Sequence, residues 1–130
     1  MKRMVLACLL TAALAAAAPA MVAAAVTDFV FEAQPAQVTA SRDAVIGVRL
    51  LNKASGKPVA DAVIFQSRLD MSPDAMADMV SPLTPLPAEQ PGVYRFKADL
   101  SMAGRWALKL AAKVPGEQET VRGEVIVVAK

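Results

Sequence analysis

The sequence contains no histidine, and its single cysteine, Cys8, lies near the amino terminus. Residues 1–25 have the form of a secretory signal peptide, with two basic residues, an apolar stretch and then three alanines that make a small-residue cleavage site. We therefore expect the mature domain to span residues 26–130 and to contain neither a thiol nor an imidazole. Such a chain forms no disulfide bond, and it lacks the usual catalytic bases, nucleophiles and zinc ligands.

Two other interpretations of the first 25 residues fit the sequence less well. The apolar stretch is rich in alanine, is interrupted by Pro19, and is shorter than the roughly 20 residues that a membrane-spanning helix needs. Only seven residues precede Cys8, which is too few for the signal of a lipoprotein. We expect the signal peptide to be cleaved after export and the mature protein to be periplasmic.

Charged residues are scattered singly along the mature chain. Of the 14 lysines and arginines, two belong to the signal peptide, which leaves 12 against 12 aspartates and glutamates. Without a basic cluster, the sequence does not indicate binding to nucleic acid or to anionic lipid. The catalytic patterns GxSxG, SxxK and HExxH are also absent. We therefore expect no nucleic-acid partner and no enzyme substrate.

Apolar and polar residues alternate along most of the mature chain, and turn residues interrupt the alternation about every 8 to 12 positions. This pattern predicts an all-β, immunoglobulin-like antiparallel sandwich of about seven short strands. The alternation is clearest over residues 94–100 and 106–112, which we expect to pair as a hairpin with its turn at residues 101–104. A final strand is predicted over residues 119–128.

Tyr94 and Trp106 stand at apolar positions of the two clearest strands. Both are expected to be large core residues with hydrogen-bonded polar tips, rather than a platform on which a ligand stacks. Because Tyr94 closely follows Pro91 and Gly92, it is also a candidate for the tyrosine corner of an immunoglobulin-like sandwich.

The strand pattern breaks over residues 71–91, which contain five of the nine prolines. Ser72 suits a helix N-cap, Pro73 suits the first helical position, and Asp74 places a carboxylate near the positive end of the helix. These signals predict a short helix that ends at about residue 79.

Four methionines, Met71, Met76, Met79 and Met102, lie in two turn-like stretches, where core packing does not normally place such side chains. In the predicted helix, Met71 and Met76 have the spacing of a hydrophobic staple, so capping alone would bring this pair together without a metal. If residues 82–91 run to the opposite end of the sandwich, the turn that carries Met102 returns to the end that holds the other three. All four sulfur atoms are then predicted to converge.

Thioether sulfur is uncharged and polarisable, so it prefers Cu(I) or Ag(I) to hard ions such as Mg²⁺ or Ca²⁺. It loses no proton when it binds a metal, and a thioether site therefore works in acid. Because no charged ligand is present, binding should be moderate, which suits transfer of the metal better than storage. We interpret the four methionines as a candidate Cu(I) or Ag(I) site.

Asp70, Asp74 and Asp78 are interspersed with the first three methionines and raise the alternative of a calcium site. The sequence lacks the DxDxDG pattern and the terminal glutamate of a calcium-binding loop. Aspartates at the start of a short exposed helix are commonly only solvated and favoured by the helix dipole. One of these carboxylates remains a candidate oxygen ligand.

Three segments together, GKPVADAVI, DMSPDAMADM and PGVYRFKADLSMAGRWALKL, resemble the YtkA-like/FixH-like family of small exported β-sandwich domains. The PGVYRF strand and the SMAGRW turn are the most specific parts of this resemblance, which covers nearly the whole mature chain. The resemblance implies an immunoglobulin-like fold and a periplasmic setting associated with copper, in heavy-metal efflux or in the maturation of haem-copper oxidases. It also implies that the methionine-bearing loop and turn correspond to Met71, Met76, Met79 and Met102.

Two features depart from the pattern of that family. Members with a histidine in the loop would bind metal more firmly than this chain. FixH-like members keep an N-terminal membrane helix, which this chain is expected to lose with its signal peptide.

Two functions are compatible with these observations. The first is a periplasmic accessory protein that binds Cu(I) or Ag(I) and passes it by thioether exchange to a metal efflux or oxidase-assembly protein of the cell envelope. The second uses the same methionines as an adaptable apolar surface that docks on a membrane complex. An enzyme has little support, because the residues and patterns of common catalysts are missing.

Overall fold

The computed structural model describes residues 28–130, so the predicted signal peptide, residues 1–25, lies outside the described part of the chain. The described residues form ten strands, with a turn of 3-10 helix, Ser72–Asp74, between the fifth and the sixth. The strands are β1 (Phe29–Ala33), β2 (Gln37–Val38), β3 (Ala44–Asn52), β4 (Lys57–Pro58), β5 (Val63–Met71), β6 (Met76–Ser81), β7 (Leu83–Leu86), β8 (Val93–Ala98), β9 (Gly104–Lys113) and β10 (Val121–Ala129).

The strands form two five-stranded sheets that pack face to face. In the first sheet the order is β1-β3-β8-β7, with β4 also paired to β3, and in the second it is β2-β10-β9-β5-β6. Among the described strands, β2 and β10 are the only parallel pair. The predicted all-β, immunoglobulin-like sandwich is confirmed. It has more strands than expected because β2 and β4 are two-residue pieces, and because β6 and β7 form where the strand pattern breaks.

One hydrophobic core lies between the two sheets. Inward-facing residues of β3, such as Ile46 and Leu50, are fully buried, whereas Val45, which precedes Ile46 and points to the other face, is exposed. Truncation of a leucine in such a core costs about 2–5 kcal/mol, so these alternating positions hold the sheets together. The second sheet contributes Leu69, Met71, Trp106, Leu108, Leu110, Val121, Val125 and Val127 to the same core.

The predicted hairpin between residues 94–100 and 106–112 is wrong, although both strands exist. β8 pairs with β3 and β7 in the first sheet, whereas β9 pairs with β10 and β5 in the second. The chain crosses between the sheets at Leu100, which is fully buried and exchanges two backbone hydrogen bonds with Ser41 (2.8 and 3.1 Å). Alternation shows which face of a strand is apolar but not which strand lies beside it. Here the two apolar faces meet across the core.

The predicted short helix begins at Ser72 as expected, but it ends after one turn and does not continue to about residue 79. Ser72–Asp74 forms a turn of 3-10 helix, which ends at Ala75 with a left-handed φ of 59°. The chain then continues as β6, whose first residue, Met76, is the partner of Met71 on β5. Backbone pairing with β5 satisfies the hydrogen bonds of this segment, and it outweighs the weak helix signals of so short a stretch.

Tyr94 connects β8 to the segment that leads into β5. Its hydroxyl donates a hydrogen bond to the carbonyl of Val59 at 2.6 Å and accepts one from the N–H of Ala62 at 3.1 Å. These partners lie more than 30 residues upstream, so the contact differs from the local one of a tyrosine corner. The buried Trp106 donates its indole N–H to the carbonyl of Met102 at 3.1 Å. The predicted hydrogen-bonded polar tips of both residues are confirmed.

Tyr94→Phe should lower the free energy of unfolding by about 1–2 kcal/mol, because it leaves the Val59 carbonyl and the Ala62 N–H without this partner. Burial raises the pKa of the Tyr94 phenol. The hydrogen bond from the Ala62 N–H partly opposes that rise, and the negative charge of Asp61 adds to it. The folded state therefore keeps this proton to higher pH than the unfolded state, and stability should decline above about pH 10.

Urea unfolding at about pH 8 and about pH 10.5 would measure this effect, and the decline in stability should be smaller in the variant than in the native protein. All other side chains are common to the two proteins, so the difference between them isolates the tyrosine. An equal decline in the two proteins would contradict the role assigned to the hydroxyl.

Candidate functional site: the methionine pole

The two turns that carry the methionines lie at the same end of the sandwich, as the sequence predicts. β5 ends where the antiparallel β9 begins, and Asp70 of β5 pairs with Ala107 of β9 close to that end. β6 and β7 lead away from this end, and β8 leads back to it. We call this end of the molecule the methionine pole; its methionines are Met71, Met76, Met79 and Met102.

Asp74 and Arg105 fasten the β5–β6 turn to the start of β9, and we call this contact the Asp74–Arg105 clamp. Asp74 Oδ2 accepts a hydrogen bond from the Arg105 backbone N–H, and Oδ1 accepts one from Arg105 Nε, each at 2.8 Å. Arg105 Nη2 also donates to the carbonyl of Pro73 at 2.8 Å. The hydrogen bonds from Arg105 hold the pKa of Asp74 below its usual value, and the bond from the backbone N–H has the largest effect. The clamp holds the turn against β9 without a metal.

Gly104 allows a close approach at the start of β9. Its φ is 146°, a conformation that residues with a side chain rarely adopt. A Cβ at this position would lie 2.5 Å from the methyl carbon of Met71 and 2.8 Å from Asp74 Oδ2. A larger residue would therefore push against both the core methionine and the clamp.

The structure divides the four methionines into one buried and three exposed side chains. Met71 is fully buried in the core, so the expectation that it lies outside the packed interior is wrong. Met76, Met79 and Met102 are 40%, 39% and 43% exposed. Three thioethers at the pole are thus accessible to solvent, and convergence of all four sulfur atoms on one ion stays a prediction.

A bulge in the β5–β6 pairing gives the edge strand two methionines near Met71. Regular pairing beyond Asp70 would bring Met79 opposite Met71, but the observed partner of Met71 is Met76. Residues 77–79 are therefore extra on β6, and such a bulge re-aims the side chains of an edge strand. Met71 and Met76 are neighbours through strand pairing, not through the helix staple that the sequence suggested.

Asp70 supports the pole from the outer face of the second sheet. Its fully buried carboxylate accepts hydrogen bonds from Arg68 Nε at 2.9 Å, Lys109 Nζ at 3.2 Å and the Ser72 N–H at 3.0 Å. Burial favours the protonated acid, but the bonds from Ser72, Arg68 and Lys109 outweigh it and hold the pKa of Asp70 well below its usual range. Sequence reasoning missed this cluster because Lys109 is 39 residues away along the chain.

Asp70 and Asp74 are therefore both engaged by cationic side chains, and they do not face one shared ion site. In the described part of the chain, no group of three or more His, Cys, Asp or Glu residues is placed to hold a metal ion. The candidate metal donors of the methionine pole are thus its thioethers, together with the exposed Asp78 as a candidate oxygen ligand that forms no ion pair within the described residues.

The fold and the pole together define a small immunoglobulin-like domain with a methionine-bearing end. The family model described as YtkA-like matches residues 23–111, and the chain belongs to this family. The match includes both methionine-bearing turns and ends within β9, so β10 lies beyond it.

Two solved structures are similar at low sequence identity. The crystal structure of the Lin-41 filamin domain is 21% identical with a TM-score of 0.42, over 73% of this chain and 83% of that chain. The adhesin InvE of Yersinia pseudotuberculosis is 14% identical with a TM-score of 0.42, over 81% of this chain and 27% of that chain. Comparison with curated proteins gives no significant match. Within residues 28–130, no helix has the length and apolar character needed to span a membrane.

Asp70→Asn should lower the free energy of unfolding at pH 7 by about 2 kcal/mol, because it removes the charged acceptor that Arg68 and Lys109 share, although both cations are partly solvated. The pKa of Asp70 is lower in the folded than in the unfolded state. Its stabilising contribution is therefore present above about pH 4 and is lost as the pH falls further, so the variant should show a weaker acid dependence.

Urea unfolding at about pH 7 and about pH 3 measures both effects. Asp78→Asn is the matched control, since Asp78 is exposed and forms no hydrogen bond or ion pair within the described residues. The control should change stability by less than about 0.5 kcal/mol. Similar losses in the two variants would contradict the special role of Asp70.

Gly104→Ala should destabilise the protein by about 1–3 kcal/mol, because the new methyl group meets Met71 and Asp74 in a conformation that alanine disfavours. Gly116→Ala is the control: its φ is also positive, at 88°, but nothing lies within 4 Å of the added Cβ. Urea unfolding followed by the fluorescence of the single tryptophan should show a larger loss for Gly104→Ala. Equal losses would mean that backbone strain alone, without the close approach, limits this position.

Proposed function

We propose that the protein is a periplasmic, non-catalytic accessory protein that binds Cu(I) or Ag(I) through methionine thioethers and passes the metal to a heavy-metal efflux or metal-insertion system. The observation that supports this proposal most directly is the exposure of Met76, Met79 and Met102 at one end of the sandwich. The Asp74–Arg105 clamp orders the turn between β5 and β6 before any metal arrives.

The donor set suits a soft monovalent ion. Thioether sulfur binds Cu(I) and Ag(I) in preference to hard cations, and the mature chain contains no imidazole to compete with it. Since no ligand must lose a proton, uptake should change little between about pH 5 and about pH 7. This property matches a compartment whose pH follows the surroundings of the cell.

The placement of the methionines suits transfer of the ion. Each of the three outer thioethers is about two-fifths exposed, so ligands of a second protein can reach an ion held between them. Neutral ligands release a cation more readily than thiolates, which supports exchange in place of storage. The buried Met71 is the fourth candidate ligand and forms the floor of the pole.

A second function is favoured by the apolar character of the same surface. Val80 is 48% exposed and lies on the edge strand β6 with Met76 and Met79. Methionine adapts to irregular partner surfaces, and an exposed apolar patch commonly marks a docking site. In this alternative the pole docks on a membrane complex, such as an efflux pump or an oxidase under assembly, without binding metal.

Anaerobic Cu(I) competition against a calibrated chelator tests the metal hypothesis. The native mature protein should show saturable uptake, and the triple variant Met76→Leu, Met79→Leu, Met102→Leu should bind on the order of tenfold more weakly or worse. Leucine preserves volume and apolarity, so the stability of the variant should stay within about 1.5 kcal/mol of the native protein.

Met71→Leu, made separately, distinguishes the buried methionine from the exposed ones. If Met71 is mainly part of the floor, this variant should retain most of the affinity that the triple variant loses. Equal Cu(I) affinity of the native protein and the triple variant would remove the metal hypothesis. Because leucine keeps the surface apolar, that result would leave the docking function as the better account of the pole.

A further inference from the structure

An open groove of about 560 Å³ lies on the outer face of the second sheet, away from the core and from the methionine side chains. It crosses β5, β9 and β10, so its walls combine two consecutive strands with β5, which is distant from them in the sequence. The side chains that shape it are Phe65, Gln66, Arg68, Lys109, Ala111 and Arg122.

The groove exists because a small residue is surrounded by long ones. Ala111 is at the centre, and its partners on the neighbouring strands are Gln66 of β5 and Arg122 of β10. Lys109 and Lys113 lie two positions away along β9, and therefore on the same face. Four long polar side chains thus enclose an alanine floor, and Arg122 Nη1 lies 3.4 Å from Gln66 Oε1 across it.

A bulge in β5 adds an aromatic side to the groove. Ile64 pairs with Ala112 and Gln66 with Ala111, so Phe65 is an extra residue between two regular pairs. A bulge of this kind places two successive side chains on one face of a sheet. Phe65 is 46% exposed, although an aromatic ring at the surface forgoes the free energy of burial. The ammonium of Lys113 lies 6.0 Å from the centre of the ring.

Strand pairing also gathers positive charge that the sequence scatters. Arg68 and Lys109 are cross-strand partners and share one buried counter-charge, Asp70. Lys113 and Arg122 are exposed and form no ion pair within the described residues. The cations exceed the anions on this face even when the exposed Glu124, the partner of Lys109 on β10, is included. Charged residues that are scattered singly along the sequence thus become neighbours on this face of the folded sheet.

We propose that this groove binds a short acidic segment of a partner protein. Carboxylates of such a segment would pair with Arg122, Lys113 and the outward side of Lys109, and an apolar side chain between them would pack on Phe65. The volume is enough for a few side chains, because ligand sites commonly measure about 300–1,000 Å³. The groove is concave and places an aromatic side chain among its cations, which suits a peptide with acidic and apolar side chains better than a flat bilayer.

The groove lies on the same strands as the methionine pole, so a partner bound in it would also be positioned relative to the pole. β5 and β9 form its walls, and the same two strands reach the methionine pole at their ends. A partner held by the groove would therefore be kept beside the pole. This inference requires no metal, and it can hold whether or not the metal hypothesis does.

Fluorescence anisotropy of metal-free protein with a short fluorescein-labelled peptide of alternating glutamate and phenylalanine tests the proposal. The peptide should bind, the counterpart with glutamine for glutamate should not, and added NaCl should weaken binding by screening. The double variant Lys113→Glu, Arg122→Glu should weaken binding about tenfold or more. Ala111→Leu should also weaken it, because leucine fills the groove without changing any charge.

The matched control is Lys57→Glu, Lys130→Glu, which makes the same change in net charge at exposed positions away from the groove. It should bind the glutamate peptide as the native protein does, and urea unfolding should show that all variants remain folded. Equal binding by the two double variants would overturn the proposal. The proposal would also be overturned if the protein bound the glutamate and glutamine peptides equally while it was retained on phosphatidylglycerol vesicles or on a single-stranded oligonucleotide.

Discussion

Two carboxylates on either side of the β5–β6 turn provide the interaction on which the rest of the pole depends. Asp70, buried on the outer face, holds Arg68, Lys109 and the backbone at the beginning of the turn. Asp74, at the end of the 3-10 turn, holds Arg105 at the start of β9. Charge-assisted hydrogen bonds of this kind are about twice as strong as neutral ones, so this short 3-10 turn can stay ordered without a longer helix. The exposed methionines depend on that order for their positions.

Much of the architecture follows from the alternation of apolar residues, because a period of two reports the buried face of each strand directly. β8, β9 and β10 were all expected, and Tyr94 and Trp106 have the hydrogen-bonded polar tips that buried aromatic residues require. Pairing partners are a different matter. β8 and β9 are consecutive and equally amphipathic, yet they lie in opposite sheets. The apolar face of each strand is buried in the core between the sheets whichever sheet the strand joins, so the alternation does not distinguish the two arrangements.

The candidate site could be predicted only in part for the same reason. The direction of the strands was enough to bring the two turns to one end of the molecule. The burial of Met71 could not be predicted, because the helix signals of Ser72 and Pro73 placed it beside a turn-like stretch, where core packing is not expected. Its burial depends on β5 continuing as far as Met71. The cationic groove was missed because Lys109 and Arg122 become neighbours only through strand register, which single-sequence patterns do not reveal.

Because three of the methionines are exposed and one is buried, oxidation can change the thioethers at the surface without disrupting the fold. An oxidant that reaches Met76, Met79 or Met102 would add a polar oxygen where water already has access, so the sandwich would persist while a soft donor is lost. Met71 is shielded by the packing around it, and its sulfoxide would be intolerable there. The exposed thioethers can thus be oxidised to sulfoxides and reduced back by methionine sulfoxide reductases without the domain having to refold.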